Sequence, residues 1–198
     1  MIDFLESLDH SIILAINGWN SPFWDEVMWV VSGKLTWIPF YLLLFYLFYK
    51  KGGLKRAGFF LICTIIAVAV ADLASVHLFK DVFLRYRPSH NLLLTDQLHF
   101  HKYADGNFYK GGTYGFVSSH AANFFAVCTF AFLALRKYYP RIFPYLFFVA
   151  VLIAYSRMYL GVHYFSDVFA GGLLGVTSAL FSYRFVFLKL IARIKETK

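Results

Sequence analysis

The sequence predicts an all-α protein: an integral membrane helical bundle of about five transmembrane helices, preceded by an N-terminal amphipathic interfacial helix. Three observations lead there. Hydrophobic residues make up 60% of the 198-residue chain and charged residues 15%, and the mean hydropathy is +0.59, far more apolar than a soluble domain. The apolar residues fall in runs close to the roughly 20 that a helix needs to cross a bilayer. Basic clusters separate alternate runs, the pattern that fixes orientation in a membrane.

Taken in order, residues 3–18 set Phe4, Leu5, Leu8, Ile12 and Ala15 against Asp3, Glu6, Asp9 and His10, a pattern for a helix lying on the membrane rather than crossing it. The same acids, with no basic segment before them, argue against a cleaved signal peptide. Trp19, Trp24, Trp29 and Trp37 are all the tryptophans of the chain, and their crowding near its start fits an interfacial belt. The first span is expected at 27–49, interrupted only by Lys34, whose long stem lets its ammonium reach the surface. The second is expected at 57–79, carrying one acid, Asp72; the others at 114–135, 142–160 and 168–188. Asp72 precedes Lys80 by eight residues, about 12 Å along a helix. That is too far for an ion pair, so Asp72 is expected to bond a neighbouring helix. Cys63 and Cys128 fall inside apolar runs and read as small packing residues. The length leaves room for one domain, 1–198.

Lys50, Lys51, Lys55 and Arg56 join the first two spans; Arg136, Lys137 and Arg141 join the third and fourth; Lys189, Arg193, Lys195 and Lys198 follow the fifth. The positive-inside rule makes all three clusters cytoplasmic. The connections 80–113 and 157–167 then share the exoplasmic face with the acidic N-terminus. The net charge of +8 lies mostly between and beside the apolar spans, which argues against a nucleic-acid partner.

Three polar stretches meet on that face. Lys80 and Arg87, before Pro88, offer a point charge and a bidentate fork suited to phosphate oxygens; taken alone, they also fit cations anchoring a helix end. Ser118, Ser119 and His120 open the third span, where hydroxyls and free backbone N–H groups favour an anion, and His120 is placed to protonate a leaving oxygen. Ser156 and Arg157 precede His163 and Asp167, whose four-residue spacing puts both on one helix face. The carboxylate there would fix the imidazole tautomer and leave the other nitrogen free to attack. Gly161 lets the chain turn between the last two spans. Two histidines and one acid among three cations make a poor divalent-metal site. His90, His99, His101, Lys102 and Lys110, in the loop 89–113, suit either a head-group reader or a solvated loop.

These stretches resemble the signature of the type 2 phosphatidic acid phosphatase superfamily, which shares its active-site design with vanadium haloperoxidases. The family pattern is K-x-x-x-x-x-x-R-P, then P-S-G-H, then S-R-x-x-x-x-x-H-x-x-x-D. Lys80, Arg87 and Pro88 match the first, and Ser156, Arg157, His163 and Asp167 the third. In the second, Ser118 and His120 match, while Val117 stands for the proline and Ser119 for the glycine. The resemblance covers roughly 60–185 and implies in-line displacement at phosphorus without a metal or cofactor. It implies His163 as the nucleophile forming a phosphohistidine, Asp167 orienting it, and His120 protonating the leaving oxygen. Lys80, Arg87, Ser118, Ser119 and Arg157 would bind the phosphoryl oxygens.

The expected activity is a lipid phosphatase at the exoplasmic face, in a bacterial inner membrane with its site toward the periplasm or exterior. Undecaprenyl pyrophosphate is the first candidate substrate; phosphatidylglycerophosphate, phosphatidic acid and lipid A phosphates are the alternatives. A transporter with a basic vestibule is the rival of another class, but no second set of polar residues lines a path to the opposite face. A vanadate-binding oxidase is disfavoured by the spans.

Overall fold

The computed structural model describes residues 2–196; Lys198 of the C-terminal basic cluster lies outside them. The chain forms α1 (Ile2–Gly18), α2 (Pro22–Ser32), α3 (Ile38–Ala74), the single turn α4 (Asp81–Phe83), α5 (Ser119–Leu135), α6 (Phe143–Tyr159), α7 (Phe165–Phe181) and α8 (Leu188–Glu196). Among the described residues there is no strand, only the isolated bridges of Tyr86 with Tyr114 and Lys102 with Phe108.

The first span begins later than the sequence predicts. Ser21 caps α2 and Pro22 opens it, but Gly33 turns extended (ψ 133°) and ends it. A Cβ on Gly33 would meet Thr36 Oγ1 at 2.9 Å. A short 3-10 turn at Leu35–Trp37 then leads into α3, so 27–32 belong to a separate helix and Lys34 to the break between them.

Within α3 a second break at Gly53 (φ +75°) separates arms 38–52 and 54–74. Phe48 and Phe60 stack with centroids 4.8 Å apart, whereas twelve residues of straight helix would span about 18 Å. The arms therefore double back at Gly53, a conformation glycine adopts without penalty, and the basic residues 50–56 gather on the bend. The stretches Leu35–Phe83 and Phe165–Arg193 are long and apolar enough to cross a membrane; α5 and α6 are apolar but only 17 residues each. Leu42, Ile65, Phe148 and Phe169 are each more than half exposed, as befits a lipid-facing integral membrane protein.

Helix α5 forms the centre, between α3, α6 and α7. A Cβ on Gly175 would lie 2.2 Å from Ala122 O, and one on Gly171 would lie 2.5 Å from Ser118 O. These small residues let α7 touch the α5 backbone, as small-residue stripes do in membranes. The N-terminal ends of both helices are thereby set side by side, and Ser118 N donates to Asp167 O at 2.9 Å.

Helix α1 forms where expected, but its buried stripe is Asp9, Ile13 and Asn17, while Phe4, Leu5 and Leu8 stay exposed. Asp9, assigned from sequence to the polar outer face, is turned inward by bonds to Arg85 and Ser166. The loop after α4 is fixed on the same end of the bundle. Asn17 Nδ2 donates to His99 O at 2.8 Å and Tyr159 O at 2.7 Å, His99 pairs with Asp25, and His101 stacks on Trp29 at 4.3 Å. His101 is thus buried against Trp29, whereas His99, paired with Asp25, keeps its ring partly exposed.

Candidate active site

The third predicted span likewise begins later: residues 114–118 pass beside the site without forming helix, and α5 starts only at Ser119. All eight site residues expected from the sequence gather at this end of the bundle. Arg87 lies in an extended segment held by hydrogen bonds from Gly115 N to Arg85 O (2.9 Å) and from Arg87 N to Thr113 O (3.1 Å). Its guanidinium donates from Nε to Tyr114 O at 3.1 Å, and from Nη1 to Val162 O at 3.2 Å and His163 Nε2 at 2.8 Å. Glycine at 111 (φ +67°) keeps this space open, since a Cβ there would lie 3.3 Å from Arg87 Nη1.

His163 follows a turn at Gly161 (φ +70°) and is buried. Arginine can only donate, so Nε2 accepts from Arg87 and carries the lone pair. Nδ1 then bears the hydrogen and faces Asp167 Oδ2 at 3.3 Å. Burial, then Arg87 and Arg157, hold the imidazole pKa well below its ordinary 6.5, so the ring is neutral. Burial and Arg157 lower the Arg87 pKa to about 10, which leaves it charged at neutral pH.

Asp167 is fully buried, one turn into α7. Its Oδ2 also accepts from Tyr164 N at 3.0 Å, and its Oδ1 accepts from Arg85 Nη1 at 3.1 Å. Arg85 Nη2 in turn donates to Asp9 Oδ2 at 2.8 Å, and its guanidinium lies 4.2 Å over the Tyr164 ring.

The remaining cations have neutral partners. Lys80 ends a π-helical turn, Ser75–Lys80, and its Nζ donates to Ser119 Oγ, which also bonds Ser75 Oγ at 2.7 Å. Arg157, buried at the end of α6, donates to Ser32 Oγ and to Tyr109 Oη (2.7 Å), while its Nε is sealed from water without a partner. Ser118 is buried and caps α5, its Oγ accepting from Ala121 N at 3.5 Å. Among the described residues Lys80, Arg87 and Arg157 form no ion pair, whereas Arg85 takes both Asp9 and Asp167. No three His, Cys, Asp or Glu side chains gather to hold a metal among those residues.

His120 and Lys34 stand where two clefts meet. One, about 500 Å³, is lined by Trp29, Tyr109 and Arg157. The other, about 600 Å³, runs between the arms of α3 and α5 past Phe45, Leu61, Ile65 and Phe124. The arrangement offers an anion pocket around a neutral imidazole, with an apolar cleft opening from it.

Sequence reasoning missed Asp9, Arg85, Ser32 and Tyr109, and gave Lys34 no place at the site. Arg85 had a signal, a second arginine two residues before Arg87 on the same edge. Asp9 and Tyr109 had none, because they arrive by tertiary packing alone.

The chain is 32% identical over 185 residues to a lipid A 4'-phosphatase of Porphyromonas gingivalis, covering 92% of this chain and 75% of that protein. It is 33% identical over 197 residues to a lipid A 4'-phosphatase of Bacteroides thetaiotaomicron, covering 99% and 84%. Its fold is similar to the crystal structure of a transmembrane PAP2-type phosphatidylglycerolphosphate phosphatase from Bacillus subtilis, with a TM-score of 0.67 and 21% identity over 91% of this chain and 85% of that one. It is also similar to Aquifex aeolicus LpxE, with a TM-score of 0.58 and 22% identity over 88% and 93%. A family model, the PAP2 superfamily, matches residues 56–191, a stretch that takes in Lys80, Arg87, His120, Arg157, His163 and Asp167 alike, and the chain belongs to that superfamily.

Proposed function

We propose that this membrane lipid phosphatase removes a phosphate monoester from an acylated sugar lipid of the lipid A kind, through a phosphohistidine on His163 and without a metal ion. The observation that carries the reading is the separation of charge around His163. Three cations face it with neutral partners only, and one buried guanidinium N–H has no partner at all. Buried, unpaired positive charge of that kind is relieved by an anion. The apolar cleft beside it suits the hydrocarbon of the same molecule. The two relatives named lipid A 4'-phosphatases favour that substrate over undecaprenyl pyrophosphate, which the sequence alone puts first.

In this reading Arg87 releases Nε2 and turns to a phosphoryl oxygen. The Nε2 lone pair attacks phosphorus as the bond to the sugar oxygen breaks, and His120, protonated once the phosphate dianion is bound beside it, gives that oxygen its proton. The neutral His120 then takes a proton from water as the water oxygen attacks phosphorus. The N–P bond breaks, phosphate leaves, and both histidines return to their starting states. Asp167 holds the Nδ1 hydrogen throughout, while Lys80, Arg87, Arg157 and the α5 N-terminus with Ser118 and Ser119 stabilise the charge on the equatorial oxygens.

We assign the site to the exoplasmic side of a bundle of five spans. Support comes from the basic clusters at the Gly53 bend, the α5–α6 connection and the chain end, which the positive-inside rule makes cytoplasmic. The test is phosphate release from a panel of lipid phosphates in detergent, with chelator present. Lipid A should lose its 4'-phosphate under those conditions. Turnover of undecaprenyl pyrophosphate alone would move the substrate to the second reading. Activity lost to chelator and restored by a divalent ion would overturn the mechanism, and no release from any lipid would favour a transporter.

A further inference from the structure

The cleft that opens from the phosphate site is not apolar throughout. Asp72 of α3 and Asn123 of α5 both line it, alongside Ser119 and His120. Asn123 Nδ2 donates to Asp72 Oδ1 at 2.9 Å, the helix-to-helix bond expected of Asp72. That bond leaves two acceptors open. Asn123 Oδ1 is buried without a partner, and Asp72 Oδ2 has no hydrogen-bond donor among the described residues. Lys80, the nearest cation in the chain, gives its hydrogen bond to Ser119 instead.

Holding two helices together does not require this arrangement. A carboxylate among apolar side chains is costly, and in a membrane protein such a group marks a functional position. The buried, unpartnered Asn123 Oδ1 beside it adds to that cost, which a donor would remove.

The position indicates what the donor is attached to. Asn123 follows Ser119 by four residues, about 6 Å along the helix. A lipid whose phosphate rests among Lys80, Ser119 and His163 therefore brings to Asp72 and Asn123 the groups roughly one helical turn from phosphorus. In a polyprenyl phosphate those groups are bare hydrocarbon, which leaves both acceptors unpaired. In an acylated amino-sugar phosphate they include an amide N–H and chain hydroxyls.

We infer that Asp72 and Asn123 form a second recognition subsite, which accepts hydrogen bonds from an amide N–H or hydroxyl at the head of an acyl chain and so selects acylated amino-sugar phosphates over lipids of plain hydrocarbon. The inference rests on the reading of the phosphate site as that of a lipid A-type phosphatase.

The test uses the full-length protein in detergent and two synthetic substrates. One is an N-(3-hydroxyacyl)glucosamine 4-phosphate; the other is the same molecule with the chain hydroxyl removed and the amide N-methylated. Wild type should favour the first in kcat/KM by about tenfold or more, because a site built to pair a polar group rejects its unpaired analogue. In the double variant Asp72→Ala with Asn123→Ala that ratio should fall to near one. A purely structural role would lower both values together and keep the ratio, and that result overturns the subsite. The wild-type comparison stands even if the variant fails to fold, and equal turnover of both substrates overturns the subsite as well. Turnover of undecaprenyl pyrophosphate with none of either sugar phosphate would overturn the substrate reading and the subsite with it. Turnover of both sugar phosphates without preference removes the subsite alone.

Discussion

Arg85 Nη1 lies 3.1 Å from Asp167 Oδ1, the carboxylate oxygen that His163 does not use. The chain Asp9–Arg85–Asp167–His163 thus runs from the first helix to the imidazole, and Arg85 sets the angle at which the carboxylate meets it. Arg85 reaches His163 only through the carboxylate of Asp167, so it acts as a positioning residue. Arg85→Ala should lower kcat by about 10- to 100-fold, the scale of one charge-assisted hydrogen bond, and leave KM within about twofold. Arg85→Lys should recover part of the loss. Steady-state kinetics check this, and a KM that rises with kcat unchanged would place Arg85 on the substrate instead.

His163→Ala should abolish turnover while the protein keeps its fold by circular dichroism and gel filtration. His120→Ala should be severe with a sugar leaving group and milder with a nitrophenyl ester, whose leaving oxygen needs no proton. A His120→Ala variant equally impaired on both substrates would remove the general-acid assignment.

Much of this was legible in the sequence. The apolar runs announced the helices, and α6 at Phe143–Tyr159 falls within one residue of its predicted ends at each side. The site residues were legible because their chemistry is local in sequence: His163 and Asp167 are one helical turn apart. What stayed hidden depends on tertiary contacts or on backbone angles. Hydropathy does not register the break at Gly33, because the apolar runs on either side of Ser32, Gly33 and Lys34 read together as one span with a snorkelling lysine. It also missed the inward turn of Asp9, whose partner Arg85 is 76 residues away. The largely apolar run 114–118 looks like the start of a span, yet residues 113–115 pair with the Arg85–Arg87 segment and the helix is held off until Ser119.

The acidity of His163 sets the pH response. Its folded pKa lies well below 6.5, from burial and the adjacent arginines, so the free protein keeps this imidazole neutral as pH falls past the ordinary histidine range. The acid limb of kcat/KM attributable to His163 should therefore lie below pH 6.5. Stability has the opposite tendency. Between the folded pKa and 6.5 the unfolded chain binds the proton and the native site does not, so this residue's contribution to stability declines as pH drops through that window. The pH profile of kcat/KM checks the first sign and thermal unfolding in detergent across pH 4–8 the second; stability that rises on acidification with His163 present but not with His163→Ala would contradict the depressed pKa.

Gly175→Val tests the contact that aligns the site. The added Cβ would lie 2.2 Å from Ala122 O, and since that oxygen is backbone, α7 must move away from α5. Overpacking of this kind costs about 1–3 kcal/mol, roughly 2–12 °C in melting temperature for a chain of this size. Activity should fall further than stability predicts, because Ser118 and Asp167 share a hydrogen bond across the same contact. The same substitution at half-buried Gly58, where a Cβ meets nothing within 4 Å, serves as the control and should leave both nearly unchanged.

Sidedness separates an exoplasmic enzyme from one acting on cytoplasmic lipid phosphates. Residues 50–56, 136–141 and 189–198 carry the basic clusters that the positive-inside rule keeps in the cytoplasm, and Lys80, His120 and His163 would then face outward. Cys63 and Cys128 are both buried and unpaired, so their replacement by alanine gives a background for single exposed cysteines. In that background Asp105→Cys samples the loop over the site, and Lys137→Cys samples the connection between α5 and α6. A membrane-impermeant thiol reagent applied to intact cells should label position 105 at once and position 137 only after the cells are opened. The reverse pattern would put the phosphate site in the cytoplasm, where it meets lipid phosphates before export, and would overturn the exoplasmic assignment while leaving the chemistry at His163 intact.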